Sequence, residues 1–425
     1  MMDAAPHLPV NTSAPRGTAR LFLAAGTSFA AHLRAYGALP PTLPAATRAG
    51  AGAPADAETV IEQLRAAGLD GRGGAGFPVW RKLASTRSHA SGRGSRPAVV
   101  IANGSEGEPL SRKDHALLSL APHLVIDGLL LCAAAVGASD LHFFTTAELA
   151  PGVQHALGER PDARHVKVLV TPEAFVAGEA TAVVNAVERA VSVPRDHVLH
   201  LSEAGLKGRP TLVQNVETLA QLALIARFGA EWFRSIGTEQ EPGTRLVTVC
   251  GDVATPQVLE VAGGTPLSVL IAAAGGASAP VSAVLVGGYH GAWVPAPALD
   301  TPLSREALSP FGAAPGAGVV FVLSSARCGL ETAAGIATYL AEQSAGQCGP
   351  CVNGLPAMAG VLSRIASRSR DPPLPAEVAR LADLVTGRGS CSHPDGTARF
   401  VLSSLSVFAS DVRAHLASTC EVHGA

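Results

Sequence analysis

Three stretches of the chain hold residue types that can do chemistry. The first is Gly71-Arg72-Gly73-Gly74-Ala75-Gly76-Phe77-Pro78, followed by Trp80-Arg81-Lys82. Glycines at this density let backbone N–H groups approach a phosphate without Cβ interference, with Arg72 and Lys82 as countercharge; the plain alternative is a flexible surface turn. The second is Asn103-Gly104-Ser105-Glu106-Gly107-Glu108-Pro109, directly after an apolar run from Pro97 to Ala102. If that run is a strand of an α/β sheet, the ligand crevice lies beyond its carboxyl end, which places Asn103, Glu106 and Glu108 to hydrogen-bond a bound ring or ribose. The alternative is a solvated acidic loop. The third comprises Cys348, Cys351 and Cys391, whose polar Gly/Ser/Pro-rich surroundings suit metal ligation.

Composition bounds what surrounds these residues. With 425 residues, 47% hydrophobic and 16% charged, the chain exceeds what one core holds, so two to four domains are expected. Lys and Arg number 32 against 34 acidic residues, and a formal charge of -2 supplies no general field for nucleic acid or anionic lipid. The N-terminus lacks a basic head leading into a long apolar core, so a cytoplasmic location is expected. The longest apolar run, Leu129 to Ala138, is about half of what a spanning helix needs, and direct membrane insertion is not expected. Seven cysteines, an odd number in so long a chain, do not describe a disulfide framework. Cys132, Cys250 and Cys328 lie in apolar stretches and read as small core residues.

The elements that must position the chemistry follow from periodicity. Residues 1–50 are Ala/Pro/Thr-rich and suit a mobile or loosely docked extension. From 51 to 240 helices and strands alternate: helices at Glu58–Ala67, Pro122–Val136, Glu179–Arg189 and Val216–Phe228, with strands at Pro97–Ala102, Leu141–Thr145 and His165–Val170. That alternation predicts an α/β layer fold. Residues 241–325 read as a small α+β unit, with strands at Arg245–Cys250, Gln257–Val261, Ala283–Gly287 and Val319–Ser324 and a helix at Thr265–Ala273. Residues 326–425 hold helical runs at Glu331–Gln343, Leu355–Ser367, Pro375–Val385 and Ala398–Leu416, the pattern of a bundle.

Four signatures in one order carry a specific resemblance. They are Gly71 to Pro78; Asn103 to Pro109 with Lys113-Asp114; Ala177-Gly178-Glu179-Ala180-Thr181-Ala182; and Gly208-Arg209-Pro210-Thr211 with Asn215-Val216-Glu217-Thr218-Leu219. Together they resemble the family of the NADH-binding FMN flavoprotein subunit of respiratory complex I (NADH:quinone oxidoreductase) and its relatives in soluble hydrogenases and formate dehydrogenases. The resemblance implies a Rossmann-like FMN-binding domain, then a ubiquitin-like β-grasp domain, then a four-helix bundle carrying a 4Fe-4S cluster. It implies hydride transfer from NADH to FMN and single-electron exit through the cluster, with electron-transfer protein subunits of ferredoxin-like or complex I-like kind as partners. Carried over by position, Gly71, Arg72, Gly73, Gly76 and Lys82 match the loop around the FMN phosphate and dinucleotide, and Phe77 matches an aromatic near the adenine. Asn103, Glu106 and Glu108 match polar groups around flavin and nicotinamide, and Gly178, Glu179 and Asn215 complete the flavin pocket.

The chain departs from the family pattern in two places. Ser105, Phe175, Ala177, Ala180 and Gln214 stand where the family has Asp, Tyr, Cys, Glu and Asn, and Val198 to Glu203 replaces a Pro-rich aromatic stretch. Loss of the carboxylate at position 180 removes a dinucleotide contact. In the cluster loop Ser344-Ala345-Gly346-Gln347-Cys348-Gly349-Pro350-Cys351, Ala345 occupies the place of the first of three cysteines, and the fourth ligand corresponds to Cys391. Three thiolates leave four outcomes: a 4Fe-4S cluster completed by His393 or an exogenous ligand, a 3Fe-4S cluster, a zinc site, or no metal. The plain reading of His393 is a solvated loop histidine. The leading function is an FMN-dependent oxidoreductase; the alternatives are a scaffold or regulatory protein that keeps the fold, or a flavoprotein served by another donor such as a ferredoxin.

Overall fold

The computed structural model describes residues 8–11, 19–39, 54–92, 94–170, 174–195 and 199–422. Ahead of the first sheet come β1 (Val10–Asn11) and α1 (Phe29–Tyr36). The alternating region supplies α2 (Pro54–Ala67), α3 (Val79–Ala90), β2 (Val99–Gly104), α4 (Lys113–Leu120), α5 (Pro122–Val136), β3 (Asp140–Thr145), α6 (Ala150–Gly158), β4 (Lys167–Val170), α7 (Ala180–Arg189), β5 (Thr211–Asn215) and α8 (Val216–Arg234). Its four strands form an all-parallel sheet in the order β4-β3-β2-β5, with Ala102 opposite both Phe143 and Gln214. Parallel strands require crossovers and burial on both faces. The apolar run Val99-Val100-Ile101-Ala102 meets that demand and is wholly buried.

Helix α5 shows how sequence sets packing. Its residues are apolar around nearly the whole circumference, so it is a core helix rather than an amphipathic one, and nearly all of it is buried. Pro122 opens it and Gly137, at φ 68, closes it in the left-handed conformation. Gly128 sits where the backbone of Leu219 in α8 crosses it, and any Cβ there would collide with that backbone. No single helix among the described residues is long and apolar enough to cross a membrane.

The chain then builds β6 (Thr244–Gly251), β7 (Gln257–Ala262), α9 (Leu267–Ala273), β8 (Val281–Val286), β9 (Ala292–Pro295), α10 (Arg305–Leu308) and β10 (Val319–Ser324). These strands and β1 make a mixed sheet in the order β1-β7-β6-β10-β8-β9, with β10 parallel to β6. One face packs on Leu267, Leu270 and Ile271 of α9. The other packs on the C-terminal helices α11 (Gly329–Glu342), α12 (Leu355–Ala366), α13 (Leu374–Val385), α14 (His393–Val407) and α15 (Ala409–Leu416). Trp293 of β9 is buried in that joint, its indole N–H donating to Ser404 Oγ of α14 at 3.0 Å.

Several expectations are corrected. The residue 1–50 segment is not loosely attached throughout: the backbone N–H groups of Arg20 and Leu21 donate to the Glu260 carboxylate at 2.9–3.2 Å, and Tyr36 donates to Leu21 O at 2.7 Å. Buried Leu21, His32 and Tyr36 supply the docking that low periodicity conceals; residues 1–7, 12–18 and 40–50 of that segment lie outside the described ones. The helix expected over Ala398–Leu416 begins earlier and is divided at Phe408 into α14 and α15. Helix α8 continues past Phe228 to Arg234 through a break at Gly229.

Candidate functional site

The site grows from the carboxyl ends of β2, β3 and β5. The glycine loop is pinned beside them by a bridge between Asp70 and Pro78 and by Gly71 N–H donating to Phe77 O at 3.0 Å. Gly73 lies so close to Asn215 that a Cβ there would sit 3.1 Å from that residue's own Cβ. Gly74, at φ 114, faces open space, whereas Gly76, at φ 61, lies against Arg305, which donates to Ala75 O at 3.0 Å. Phe77 is 53% exposed, a large apolar ring free to stack.

The two basic residues of this region have different roles. Arg72 is 5% exposed; its guanidinium donates to Pro242 O and Thr244 O at 3.4 and 3.3 Å and faces Glu241. It joins the glycine loop to the second sheet; its main-chain N–H donates to Thr218 Oγ1 at 2.8 Å, while its Nε is buried without a hydrogen-bond partner. Lys82 Nζ donates to Val213 O at 2.5 Å, and burial lowers its pKa to about 8 against the pull of Cys132 and Glu179. An ammonium has three N–H donors, so two are left for an anion.

Asn103 Nδ2 donates to Gly178 O at 2.9 Å, tying the second signature to the third. Glu106 accepts from Asp114 N and His115 N at 3.1 and 3.2 Å and from Ser111 Oγ, so it caps the first turn of α4. Glu108 is half-buried and accepts from Tyr289 N at 2.8 Å and Leu110 N at 3.3 Å; burial raises its pKa to about 7. Glu179 caps α7 through Thr181 N and Ala182 N at 2.8 and 3.0 Å. Asn215 caps α8 through Glu217 N at 3.0 Å while its Nδ2 donates to Asp114 Oδ2 at 2.6 Å.

Beneath these lies a buried ionic cluster that sequence reasoning does not assemble. Lys113 Nζ meets Asp114 Oδ1 at 2.6 Å and Glu217 Oε2 at 3.1 Å, and Glu217 also accepts from Leu246 N at 2.9 Å. Burial raises Asp114 above the usual carboxylate range, partly offset by Lys113. The residue types are visible in the sequence, but their pairing crosses about a hundred positions. At the strand ends Thr145 Oγ1, Thr146 Oγ1 and Gln214 Nε2 are buried without a hydrogen-bond partner. Orphaned polar atoms at a sheet's carboxyl edge fit a polar ligand that brings the missing partners.

The three cysteines converge. Burial raises the Cys351 thiol to about 12, reinforced by Cys348 and Cys391 beside it. Cys391 is raised by burial first and then by the Glu179 carboxylate, which places the thiol group next to the α7 cap. Gln347 Nε2 donates to Pro194 O at 3.1 Å, and Phe175 N donates to Gln343 Oε1 at 3.2 Å, tying the helical region to this edge. His393 is neither a free ligand nor a solvated loop residue: it is buried, with Nδ1 3.0 Å from His290 Nε2 and Nε2 2.8 Å from Leu340 O. Phe175 packs edge-on to His290 at 4.6 Å, forming an aromatic wall with Tyr339 that the sequence does not signal.

Comparison with known proteins matches three regions in chain order. The Nuo51 FMN-binding domain matches residues 64–224, the SLBB domain 246–288, and the NADH-ubiquinone oxidoreductase-F iron-sulfur binding region 331–415. The chain is 28% identical over 378 residues to the second F-type subunit of NADH-quinone oxidoreductase in Rhizobium meliloti, covering 84% of this chain and 89% of that protein. It is 29% identical over 384 residues to the corresponding NADH-quinone oxidoreductase protein of Streptomyces coelicolor, covering 84% and 83%. Among solved structures, an NAD+-reducing [NiFe]-hydrogenase in the air-oxidized state superposes with a TM-score of 0.78 at 29% identity, over 88% of this chain. This chain spans 64% of that hydrogenase chain's length.

Proposed function

We propose that this chain, a divergent relative of the F-type subunits of NADH-quinone oxidoreductase, is an FMN-dependent oxidoreductase that passes electrons from NADH to an iron-sulfur centre and onward to a partner protein. The observation that carries the reading is convergence: the glycine loop, the Asn103 and Asn215 strand ends and the Glu179 cap share one edge, and the Cys391 thiol lies within electrostatic reach of Glu179. Residues 51–240 are read as the Rossmann-like FMN domain, supported by the parallel sheet; 241–325 as the β-grasp domain; and 326–425 as the four-helix, cluster-bearing domain.

The residues present fit FMN, as the partnerless atoms of Thr145, Thr146 and Gln214 and the open face of Gly74 indicate. Bound FMN would supply two-electron acceptance from a hydride donor and one-electron release. The backbone N–H groups of Gly73 to Gly76 and the spare donors of Lys82 hold its phosphate, and Asn103, Gly178, Glu179 and Asn215 border the ring. Arg72 tethers the loop to the second sheet through Pro242 O and Thr244 O. Glu106 and Glu108 orient the nicotinamide side, with Glu108 able to change protonation near neutral pH. Phe77 offers a stacking face to the adenine.

Cys348, Cys351 and Cys391 fit a polynuclear cluster better than a single zinc. Thiolates of a cluster bind different irons and so stand further apart than ligands of one ion. Among the described residues, the three-donor group whose ligand atoms all lie within 4.8 Å is a different one. With His393 engaged on both nitrogens and Ala345 unable to ligate, the cluster has three protein ligands. Partners are electron-transfer proteins, consistent with relatives that are themselves subunits.

The experiment is absorbance and iron analysis of anaerobically purified protein before and after NADH. Flavin absorbance that bleaches with NADH is expected. Colourless protein that cannot be reconstituted with FMN overturns the reading, and flavin without bleaching moves it to another donor, such as a ferredoxin, or to a scaffold role.

A further inference from the structure

Away from the cluster loop, a second set of soft donors meets in the core. Cys328, His415 and Cys420 bring Sγ, a ring nitrogen and Sγ within 4.8 Å of one another, and they are 3%, 0% and 4% exposed. They arrive from three places: Cys328 is the cap of α11, His415 lies in the last turn of α15, and Cys420 follows beyond that helix. In sequence Cys328 reads as a core residue, and nothing local links it to the chain's last helix.

The geometry is that of ligands around one ion. His415 Nδ1 lies 3.1 Å from Ile365 O, and Nε2 lies 3.6 Å from Cys328 Sγ. A carbonyl only accepts, so Nδ1 carries the proton and the Nε2 lone pair faces the sulfur. This outer-shell arrangement is the one that orients a metal-binding histidine. With metal–sulfur near 2.3 Å and metal–nitrogen near 2.0–2.1 Å, the edge of a tetrahedron between the two atoms comes to about 3.6 Å. The backbone N–H groups of Leu330 and Glu331, at the start of α11, point at the Cys328 sulfur.

We propose that Cys328, His415 and Cys420 bind a zinc ion that clamps the chain's last helix and tail onto α11. Two thiolates and a neutral imidazole balance the dication's charge, which a site this buried requires. Each thiol gives its proton to solvent as the ion enters, and water takes the fourth corner, as in other Cys2His zinc sites. The clamp is independent of the flavin reading, because it shares no residue with the glycine loop or with Cys348, Cys351 and Cys391.

The test is metal analysis of full-length protein purified anaerobically, compared across variants. A single zinc per chain is expected, retained when Cys348, Cys351 and Cys391 are all changed to Ser and lost in Cys420→Ser and in Cys328→Ser. Cobalt(II) exchanged into the parent protein should show tetrahedral bands with thiolate charge transfer, absent from Cys420→Ser. Circular dichroism checks that each variant is folded. If Cys420→Ser fails to fold, cobalt uptake with thiolate charge transfer by the variant with Cys348, Cys351 and Cys391 changed to Ser still decides. Zinc content unchanged in folded Cys420→Ser, no zinc or cobalt uptake by the parent, copper in place of zinc, or a Cys328–Cys420 disulfide by intact mass would each overturn the proposal.

Discussion

Lys82 and Arg72 flank the same glycine loop, yet their partners assign them opposite roles. Lys82 makes one hydrogen bond, to Val213 O, and burial has already weakened its hold on the proton. A phosphate beside it would restore that hold, because an opposite charge favours the ionised form. Lys82→Met should therefore weaken FMN binding by about 10- to 100-fold, the span of a charge-assisted hydrogen bond worth about 1.5–3 kcal/mol. Fluorescence titration of the apo protein with FMN reads the loss. Arg72→Met removes contacts to Pro242 O, Thr244 O and Glu241 instead, so it should lower the denaturation midpoint. Equal loss of FMN affinity in both variants would return Arg72 to the phosphate.

Elements carry the next set of consequences. Asn215 ends β5 and starts α8, so one side chain serves as helix cap and as donor to Asp114. Asn215→Ala should cost about 1 kcal/mol for the cap, and more for the donor lost to a buried carboxylate. Asn215→Asp keeps the cap but sets a second carboxylate against Asp114, so urea unfolding should find it the less stable of the two. The reverse order would remove Asp114 from the account. In the cluster loop, Ala345→Cys returns the missing thiolate; iron per chain should rise, and a reducible signal should appear in electron paramagnetic resonance that the parent lacks. No iron in either the parent or the variant would mean that the loop does not hold a cluster.

The same elements show what a sequence displays. Helix α5 is legible to the residue, because its apolar run is bounded by Pro122 and Gly137, and the strands around Ile101 and Phe143 are legible from buried runs. Helices α3, α4 and α6 and strand β5 are not, since the last is a short Thr-Leu-Val-Gln-Asn whose sheet position is set by pairing with β2 over a hundred residues away. At the site, glycines, carboxylates and cysteines announce themselves by type. Which side chains are already committed, as that of His393 is to His290 and Leu340, depends on distant partners.

At the scale of the whole molecule, the pattern of buried acids sets how stability follows pH. Glu260 accepts from Arg20 N, Leu21 N and Thr244 Oγ1, yet burial outweighs those bonds and raises its pKa from 4.5 to about 7. Glu108, which accepts from Tyr289 N and Leu110 N, is raised over the same interval, also by burial. For an acid with a raised folded pKa, the native state holds more protons than the unfolded chain between the two values, so stability falls as pH rises through that window. Asp127 acts in the opposite sense lower down: burial opposes its charge, but His32, Arg160 and Arg227 prevail and bring it to about 2, so its contribution is complete above 3.8 and lost only as pH falls through 2. Urea midpoints should therefore decline from about pH 5 to pH 8 rather than remain flat. Glu260→Gln keeps an acceptor for the docked N-terminal segment and removes one ionisation, so the decline should be shallower in that variant, and shallower again with Glu108→Gln. A slope identical to the parent in the double variant would show that other groups govern the window. If Glu260→Gln flattens the slope while Glu108→Gln does not, Glu108 is solvated in solution, and its role beside the flavin loses the buried, neutral-pH proton on which it rests.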